Sequence, residues 1–321
     1  MESITPPVIA IVLPCYNEEK ALPETIKVLS ELCGSLKKDG RISEKSFIIC
    51  VDDGSSDKTW EVIDRLHQKD KNVKGITLAH NRGHQYALLA GLMTAKEYCN
   101  AAISIDADLQ DDPNAIVEML DKFNDGAEIV YGVRSSRSSD TWFKRNSARC
   151  FYKLQSIMGL QTIYDHADYR LMSRRALDIL SQYRECNLFL RGIVPLIGLE
   201  TAIVYYNRNP RVAGESKYPL KKMLQFSIDG ITSFSASPMR WIFGLGIGLL
   251  LLDIMVSIYV LISYLYGETV SGWSSLMLSV WFLGSIVLIS LGVVGEYIGK
   301  IFTEVKARPR YNIKNSIGLE L

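Results

Sequence analysis

The sequence lacks a dominant charge. Its 36 Lys and Arg residues against 35 Asp and Glu leave a net charge of +1, so no global field draws the chain to nucleic acid. It also lacks a cysteine code. Cys15, Cys33, Cys50, Cys99, Cys150 and Cys186 fall without the spacing of a zinc site or a disulfide framework, and read as reduced, cytosolic thiols. Residues Met1 to Pro7 carry no basic-plus-apolar leader pattern. The second half lacks charge of either sign. Between Arg240 and Glu268 the only charged residue is Asp253, and between Glu268 and Glu296 there is none. Each stretch runs about 27 residues, longer than the ~20 that cross a bilayer as a helix. Two transmembrane helices are expected, at about 241–266 and 274–297.

Positive charge sets their orientation. Arg208, Arg211, Lys217, Lys221, Lys222 and Arg240 precede the first span, and Lys300, Lys306, Arg308 and Arg310 follow the second. The connection from Gly267 to Trp273 has no Lys or Arg, so both termini are expected in the cytoplasm with the hairpin tip outside. The expected organisation is a catalytic domain over 1–212, a juxtamembrane amphipathic segment over 213–240, the two spans within 241–299, and a basic cytoplasmic tail over 300–321. From Leu220 onward, Met223, Leu224, Ile228, Ile231 and Phe234 share one helical face, as in a helix lying on a bilayer or packed on the globular domain. Asp253 in mid-span is costly there, and is expected to face another helix of the hairpin or a neighbouring subunit.

What the first half does contain is alternation. Short apolar runs at 8–13, 47–51, 73–78, 103–105 and 128–133 read as strands. Helical patterns with Ile26, Leu29 and Leu32, then Trp60, Ile63 and Leu66, lie between them. A β-α-β-α order implies an α/β domain with a mostly parallel sheet covered on both faces. Ligands of such sheets bind outside the carboxyl ends of the strands. The polar clusters at 14–19, 52–57, 80–84 and 106–112 all fall there. Asp106 and Asp108, two residues apart after a strand, have the chemistry to share one divalent cation whose other ligands are substrate phosphates. An acidic surface turn is the plainer alternative for that pair alone.

The motifs Pro14-x-Tyr-Asn-Glu18, Asp52-Asp-Gly-Ser-Ser-Asp57 and Asp106-x-Asp-x-Gln110 resemble the nucleotide-sugar domain of family 2 glycosyltransferases, which have the GT-A fold. Asp168-Tyr-Arg-Leu-Met-Ser-Arg174, Asn187-Leu-Phe-Leu-Arg-Gly192, Gly214-Glu-Ser-Lys217, Gly230-Ile-Thr-Ser-Phe234, Gly295-Glu-Tyr-Ile-Gly299 and Arg308-Pro-Arg-Tyr311 extend the resemblance to polyprenyl-phosphate glycosyltransferases of the bacterial bactoprenol glucosyltransferase type. Two departures are Cys15, where Val is usual, and His166-Ala167 ahead of Asp168.

The resemblance implies a role for each matching residue. Asp108 is the first metal ligand, for Mg2+ or Mn2+; Asp106 divides between metal and ribose; Gln110 completes the shell or merely starts a helix. Asp53 meets the uracil, with Asp52 a solvated turn group; Glu18 meets the ribose or base edge, Tyr16 offers a ring face, and Pro14 fixes the loop. Arg82 and the neighbouring backbone N–H groups meet phosphate. Asp168 contacts sugar hydroxyls or acts as a base, and Arg170 holds the diphosphate, unless the two form an internal salt bridge. His84 reads as a capping or surface residue in preference to a nucleotide contact. Lys217 closes over the diphosphate, and Arg134, Arg145 and Ser147 lie near a lipid phosphate.

The implied reaction is metal-dependent, inverting transfer of a hexose, glucose foremost, from a UDP-sugar to undecaprenyl phosphate at the cytosolic face of the inner (plasma) membrane. GDP-mannose, UDP-N-acetylglucosamine and UDP-aminoarabinose are rival donors. A non-catalytic membrane scaffold with a transferase fold is the rival from another class, against which the acidic and basic site residues argue. A processive synthase fits less well, because its Gln-x-x-Arg-Trp motif has Ser237 in the Gln position before Arg240-Trp241. Gly244, Gly246 and Gly248 permit close helix contact, and a homo-oligomer is expected.

Overall fold

A computed structural model describes residues 5–135, 166–186, 188–207, 237–265 and 272–320. It divides into two units. One comprises Met1–Lys153, Gln161–Tyr218 and Ala307–Leu321; the other comprises Leu154–Leu160 and Pro219–Lys306.

The first unit is organised on an eight-stranded sheet in the order β7-β5-β6-β4-β1-β2-β3-β8. The strands are β1 (Ile9–Cys15), β2 (Phe47–Asp52), β3 (Val73–Leu78), β4 (Ala101–Ser104), β5 (Ile129–Arg134), β6 (His166–Ser173), β7 (Thr201–Tyr206) and β8 (Ile313–Ile317). β6 and β8 run against the other six. The helices are α1 (Leu22–Lys38), α2 (Thr59–Lys69), α3 (His84–Ala95), α4 (Ala115–Asn124), α5 (Arg174–Leu180) and the single turn α6 (Leu190–Ile193).

β1 and β2 are buried along their whole length, as strands covered on both faces must be. Alternation along β1 sends Ile9, Ile11, Leu13 and Cys15 into the core shared with Leu22, Ile26 and Leu29 of α1, and with Ile116, Met119 and Leu120 of α4. On the opposite face Gly91 of α3 lies so close to the sheet that a Cβ there would meet Val12 Cγ1 at 2.4 Å and Val51 Cγ2 at 2.6 Å. Only glycine lets α3 approach this closely, and α3 carries a site residue at its first position.

Two expectations need correction. Pro14 lies inside β1, opposite Val51, and not in the loop it was expected to fix. It is tolerated in a central strand because the pairing of β1 with β4 runs only from Ile9 to Val12, so the missing N–H falls beyond that ladder. The segment read as a tail contributes β8, which pairs antiparallel with β3 from Ile317 to Ile313 and closes the β3 edge. Its composition, Ile-Lys-Asn-Ser-Ile, has too few apolar residues to announce a strand.

The second unit contains α7 (Ser237–Leu265) and α8 (Trp273–Val305). Among the described residues, Phe282–Val305 is a helical segment long and apolar enough to cross a membrane. Asp253 falls on α7, but its side chain, like the amphipathic run at 220–234, is outside the described residues.

Candidate active site

The loops after β1, β2 and β3 are latched to one another by short hydrogen bonds. Asn17, at a φ of 56°, donates its backbone N–H to Ser55 Oγ at 3.0 Å and accepts from the Ser56 N–H at 2.9 Å. The Glu18 N–H donates to Thr59 Oγ1 at 2.9 Å, and the Glu19 N–H to Asp57 at 3.2 Å. Gly54, at a φ of +62°, lets the second loop touch the third: a Cβ there would meet the Asn81 nitrogen and the His80 carbonyl carbon at 2.7 Å each.

Asp53 completes the latch. One carboxylate oxygen accepts from the Arg82 N–H at 2.7 Å and the other from the Gly83 N–H at 2.8 Å, and the residue is 2% exposed. Burial raises its pKa against these two hydrogen bonds, which lower it. Asp53 therefore ties two loops together and offers almost no surface to a base, contrary to the expected uracil contact. The same bonds occupy the Arg82 and Gly83 N–H groups expected to meet phosphate, while the Arg82 side chain is exposed. Asp52, expected to be solvated, is buried and accepts from Thr77 Oγ1 at 2.6 Å. Tyr16 is exposed at the first loop, and Glu18 is half-buried beside it.

The acidic loop after β4 divides its carboxylates between two surroundings. Asp106 keeps 42% of its side chain accessible. Burial of its remaining surface, with Asp111, Asp168 and Asp108 nearby, pushes its pKa up to about 6 against the opposing pull of His84. Asp108 accepts from the Gln110 N–H at 3.1 Å across a turn in which Leu109 has a φ of 54°. Asp111 points into the interior, where Tyr206 Oη donates to it at 2.6 Å and Arg134 lies at 3.4 Å. Arg134, expected at a lipid phosphate, thus reaches the end of β5 already engaged with a buried carboxylate. Arg145, Ser147 and Lys217 lie outside the described residues.

β6 brings in the other half. Asp168 and Arg170, two apart on one strand, share a face, while Tyr169 and Leu171 enter the core. Arg170 is 1% exposed; its Nη2 lies 2.6 Å from Asp168 Oδ1, and its Nη1 donates to the Leu190 carbonyl at 3.4 Å. The internal salt bridge is the arrangement present, and Arg170 is too buried to hold a diphosphate. Two further basic side chains converge on Asp168. Arg191, from α6, donates Nε to Oδ1 at 3.2 Å and Nη2 to Oδ2 at 3.1 Å. His84 Nε2, from the first residue of α3, is 3.5 Å from Asp168 Oδ2 and 3.7 Å from Asp106 Oδ1. Burial would raise the pKa of Asp168, but Arg191, His84 and Arg170 together hold it well below the usual range. Burial would likewise lower the His84 imidazole, yet Asp168 and Asp106 raise it.

His84 is exposed at the start of α3, as expected, but also lies between two acidic side chains, and Arg191 was absent from the expected site. Arg191 lies in the motif at 187–192 and His84 in the polar cluster at 80–84, but neither pattern says that β6 places a carboxylate between the two. The segment bearing Arg191 is moored on both sides. The Leu190 N–H donates to Gln85 Oε1 at 2.9 Å, Tyr86 Oη bonds the Cys186 carbonyl, and Arg310 Nη1 donates to the Tyr183 carbonyl at 2.7 Å.

Among the described residues no three His, Cys, Asp or Glu side chains converge as a closed metal cage. Asp106 and Asp108 instead offer two neighbouring carboxylates, and besides burial the Asp106 pKa is raised by nearby negative charge that a divalent cation would relieve. This donor set fits Mg2+ or Mn2+ completed by phosphate oxygens and water.

Residues 10–180 match Glycosyl transferase family 2. The chain is 52% identical over 307 residues to the uncharacterized glycosyltransferase YkoT of Bacillus subtilis (strain 168), covering 96% of this chain and 91% of that protein. It is 38% identical over 314 residues to the SfII prophage-derived bactoprenol glucosyl transferase of Shigella flexneri, covering 96% and 98%. Among solved structures, mannosyl-3-phosphoglycerate synthase from Rubrobacter xylanophilus superposes with a TM-score of 0.50 at 15% identity, over 73% of this chain and 74% of that one, a likeness of fold.

Proposed function

The chain belongs to glycosyl transferase family 2, and from that premise we propose that it transfers a hexose, glucose foremost, from a UDP-sugar to undecaprenyl (polyprenyl) phosphate. The observation that carries this reading is the near-full-length similarity to a bactoprenol glucosyl transferase, which takes in the two long helices as well as the sheet domain.

An acceptor phosphate is largely dianionic at neutral pH and is already a nucleophile. Its oxygen attacks the anomeric carbon as the bond to UDP breaks, and the electron pair leaves on the β-phosphate oxygen. A single displacement from the face opposite UDP inverts the anomeric centre. Negative charge grows on the leaving diphosphate, so groups that stabilise it there lower the barrier. Asp106 and Asp108, with Gln110, would hold a divalent cation that supplies part of this stabilisation. Tyr16 and Glu18 border the nucleotide end, with Lys217 as a closing cation. Arg145 and Ser147, with Arg134 at the end of β5, are assigned the lipid phosphate by the family resemblance alone. α7 and α8 span the inner membrane as a hairpin with both termini cytoplasmic, so the acceptor headgroup and the donor share the cytosolic face. The glycines of α7 support a homo-oligomer.

The test uses purified full-length protein, undecaprenyl phosphate, Mg2+ or Mn2+, and a panel of radiolabelled nucleotide sugars. Label extracted into organic solvent from UDP-glucose, and reduced about 10²- to 10³-fold in Asp108→Ala, is the expected outcome. Transfer from a different donor corrects the sugar and keeps the reaction. No lipid-borne label from any donor overturns the proposal.

A further inference from the structure

The acidic loop after β4 is fixed on both sides of its turn. Burial alternates along it: Ile105 and Ala107 are buried, Asp106 and Asp108 are half-buried, and Asp111 is buried again. Asp106 and Asp108 therefore share the accessible side because the residue between them is held inward. What holds it is Thr25 of α1, a buried residue whose Oγ1 donates to the Ala107 carbonyl at 2.6 Å. The Ala21 carbonyl, one turn back in α1, is within 3.1 Å of the same hydroxyl, but it already accepts from the Thr25 N–H at 3.2 Å. A hydroxyl has one hydrogen, and the shorter contact takes it. The Ala107 carbonyl belongs to the planar peptide unit that leads into Asp108, so this bond sets the plane from which Asp108 departs.

The far side of the turn is fastened to two strands. Tyr206 Oη, from the end of β7, donates to the Asp111 carboxylate at 2.6 Å, and Tyr169 Oη of β6 donates to the Asp112 carbonyl at 3.0 Å. The two tyrosine rings meet edge to face with centroids 5.2 Å apart, so each ring helps to place the other. Ser135, just after β5, donates its N–H to the Tyr206 carbonyl at 2.9 Å and steadies the end of β7. Between the two clamps lie Asp108, Leu109 and Gln110, with Leu109 at a φ of 54°. A residue other than glycine keeps this conformation only where its surroundings impose it.

From this geometry, and resting on the transferase reading for the cation itself, we infer that Thr25, Asp111 and Tyr206 are positioning residues that preset Asp106 and Asp108 for a divalent cation. Asp111 faces Tyr206 and Arg134 in the interior, so it anchors the loop where Asp106 and Asp108 serve the ion. Thr25 acts from one side of the turn and Tyr206 from the other, and neither hydroxyl is directed at the ion. Without these clamps the two carboxylates would have to be gathered when the cation binds, and the entropy of ordering them would be subtracted from its affinity.

The experiment titrates the full-length protein in nanodiscs with Mn2+, alone and with UDP, and reads the free-ion paramagnetic resonance signal against UDP without protein. Thr25→Val and Tyr206→Phe each remove one hydroxyl and change no charge. Each is expected to weaken Mn2+ binding about two- to tenfold, in line with one hydrogen bond. Thr25→Ser, which keeps the hydroxyl, restores the wild-type affinity. Ser46→Ala is the matched control: it deletes the 3.0 Å bond that Ser46 Oγ accepts from the buried Ile9 N–H, at the opposite end of the sheet. It is expected to lower the thermal midpoint as the clamp variants do, and to leave Mn2+ binding unchanged. Clamp variants that bind Mn2+ like the wild type overturn the inference alone, as does a Ser46→Ala protein that loses as much affinity as they do. A wild type that binds no Mn2+, with or without UDP, overturns the cation assignment of the transferase reading with it.

Discussion

Asp53 and Asp168 are both buried carboxylates at the mouth of one sheet, yet they are held by opposite means. Asp53 is gripped by two backbone N–H groups of the next loop, a neutral arrangement that joins segments 29 and 30 residues apart. Asp168 is gripped by side chains, the guanidinium groups of Arg170 on β6 and Arg191 on α6, with the His84 imidazole of α3 beside it. The first carboxylate shapes the backbone, and its loss leaves unpaired amides. The second organises charge, and its loss leaves the almost fully buried Arg170 without its carboxylate. The loops after β1, β2 and β3 are thus set by hydrogen-bond geometry, and the side near β6 is set by electrostatics.

The largest effect should come from removing the charged organiser. Asp168→Ala abandons Arg170 in the interior, and loss of one partner of a buried pair costs about 3–5 kcal/mol. A marked fall in thermal midpoint is expected, partly restored when Arg170→Met is added. An unchanged midpoint in the single variant would break the contrast drawn here. Asp53→Ala should cost less, about 2 kcal/mol, for two buried amides left without an acceptor. Its signature is local: hydrogen exchange should accelerate at Arg82 and Gly83 and not at Arg191. Exchange rising equally around β6 would show that the two halves are one cooperative network.

The smallest effect is one of pH. The folded pKa of Asp106, about 6, lies above the ordinary carboxylate value, so the group takes up a proton as pH falls through that point. Proton and cation then compete for one oxygen set. Affinity for Mn2+, followed by the free-ion paramagnetic resonance signal, should rise through about pH 6 and level off above it. Below that point it should fall by up to about tenfold per unit. A flat profile from pH 5 to 8 would place the cation away from Asp106. The sign for folding is the reverse: ionising this crowded carboxyl is harder in the fold than in the unfolded chain, so the cation-free protein gains stability from it as pH falls through the same range.

Much of the scaffold was legible. The run from Val73 to Leu78 is a strand as expected, and the strands begun at 47 and 101 end at or just before the polar clusters that begin at 52 and 106. Asp106 and Asp108 follow β4 as expected, and the pairing of Asp168 with Arg170 was an alternative already visible in their spacing of two. The errors share one cause. Pro14 and Asp53 lie in motifs that resemble a nucleotide site, and Arg82 in a polar cluster beside them, but a motif does not say which of its polar groups face a ligand and which face another loop. In this chain several of them, including Asn17, Ser55, Asp57 and the Arg82 amide, bond to each other.

The sequence by itself determined the alternation of buried strands and amphipathic helices, the strand ends where chemistry collects, and two long stretches without charge. These are local properties, written in periodicity and composition over about ten to thirty residues. Only the tertiary structure decided that Asp53 faces two amides and not a base, that Arg170 is sealed inside, and that β8 returns to the edge of β3. It also decided that His84, Asp168 and Arg191 meet. Ion pairing falls off within a few ångströms and takes no account of position along the chain. Whether three such side chains form one cluster depends on the sheet order that carries β6 between β4 and β5, and on the close approach of α3 that Gly91 allows.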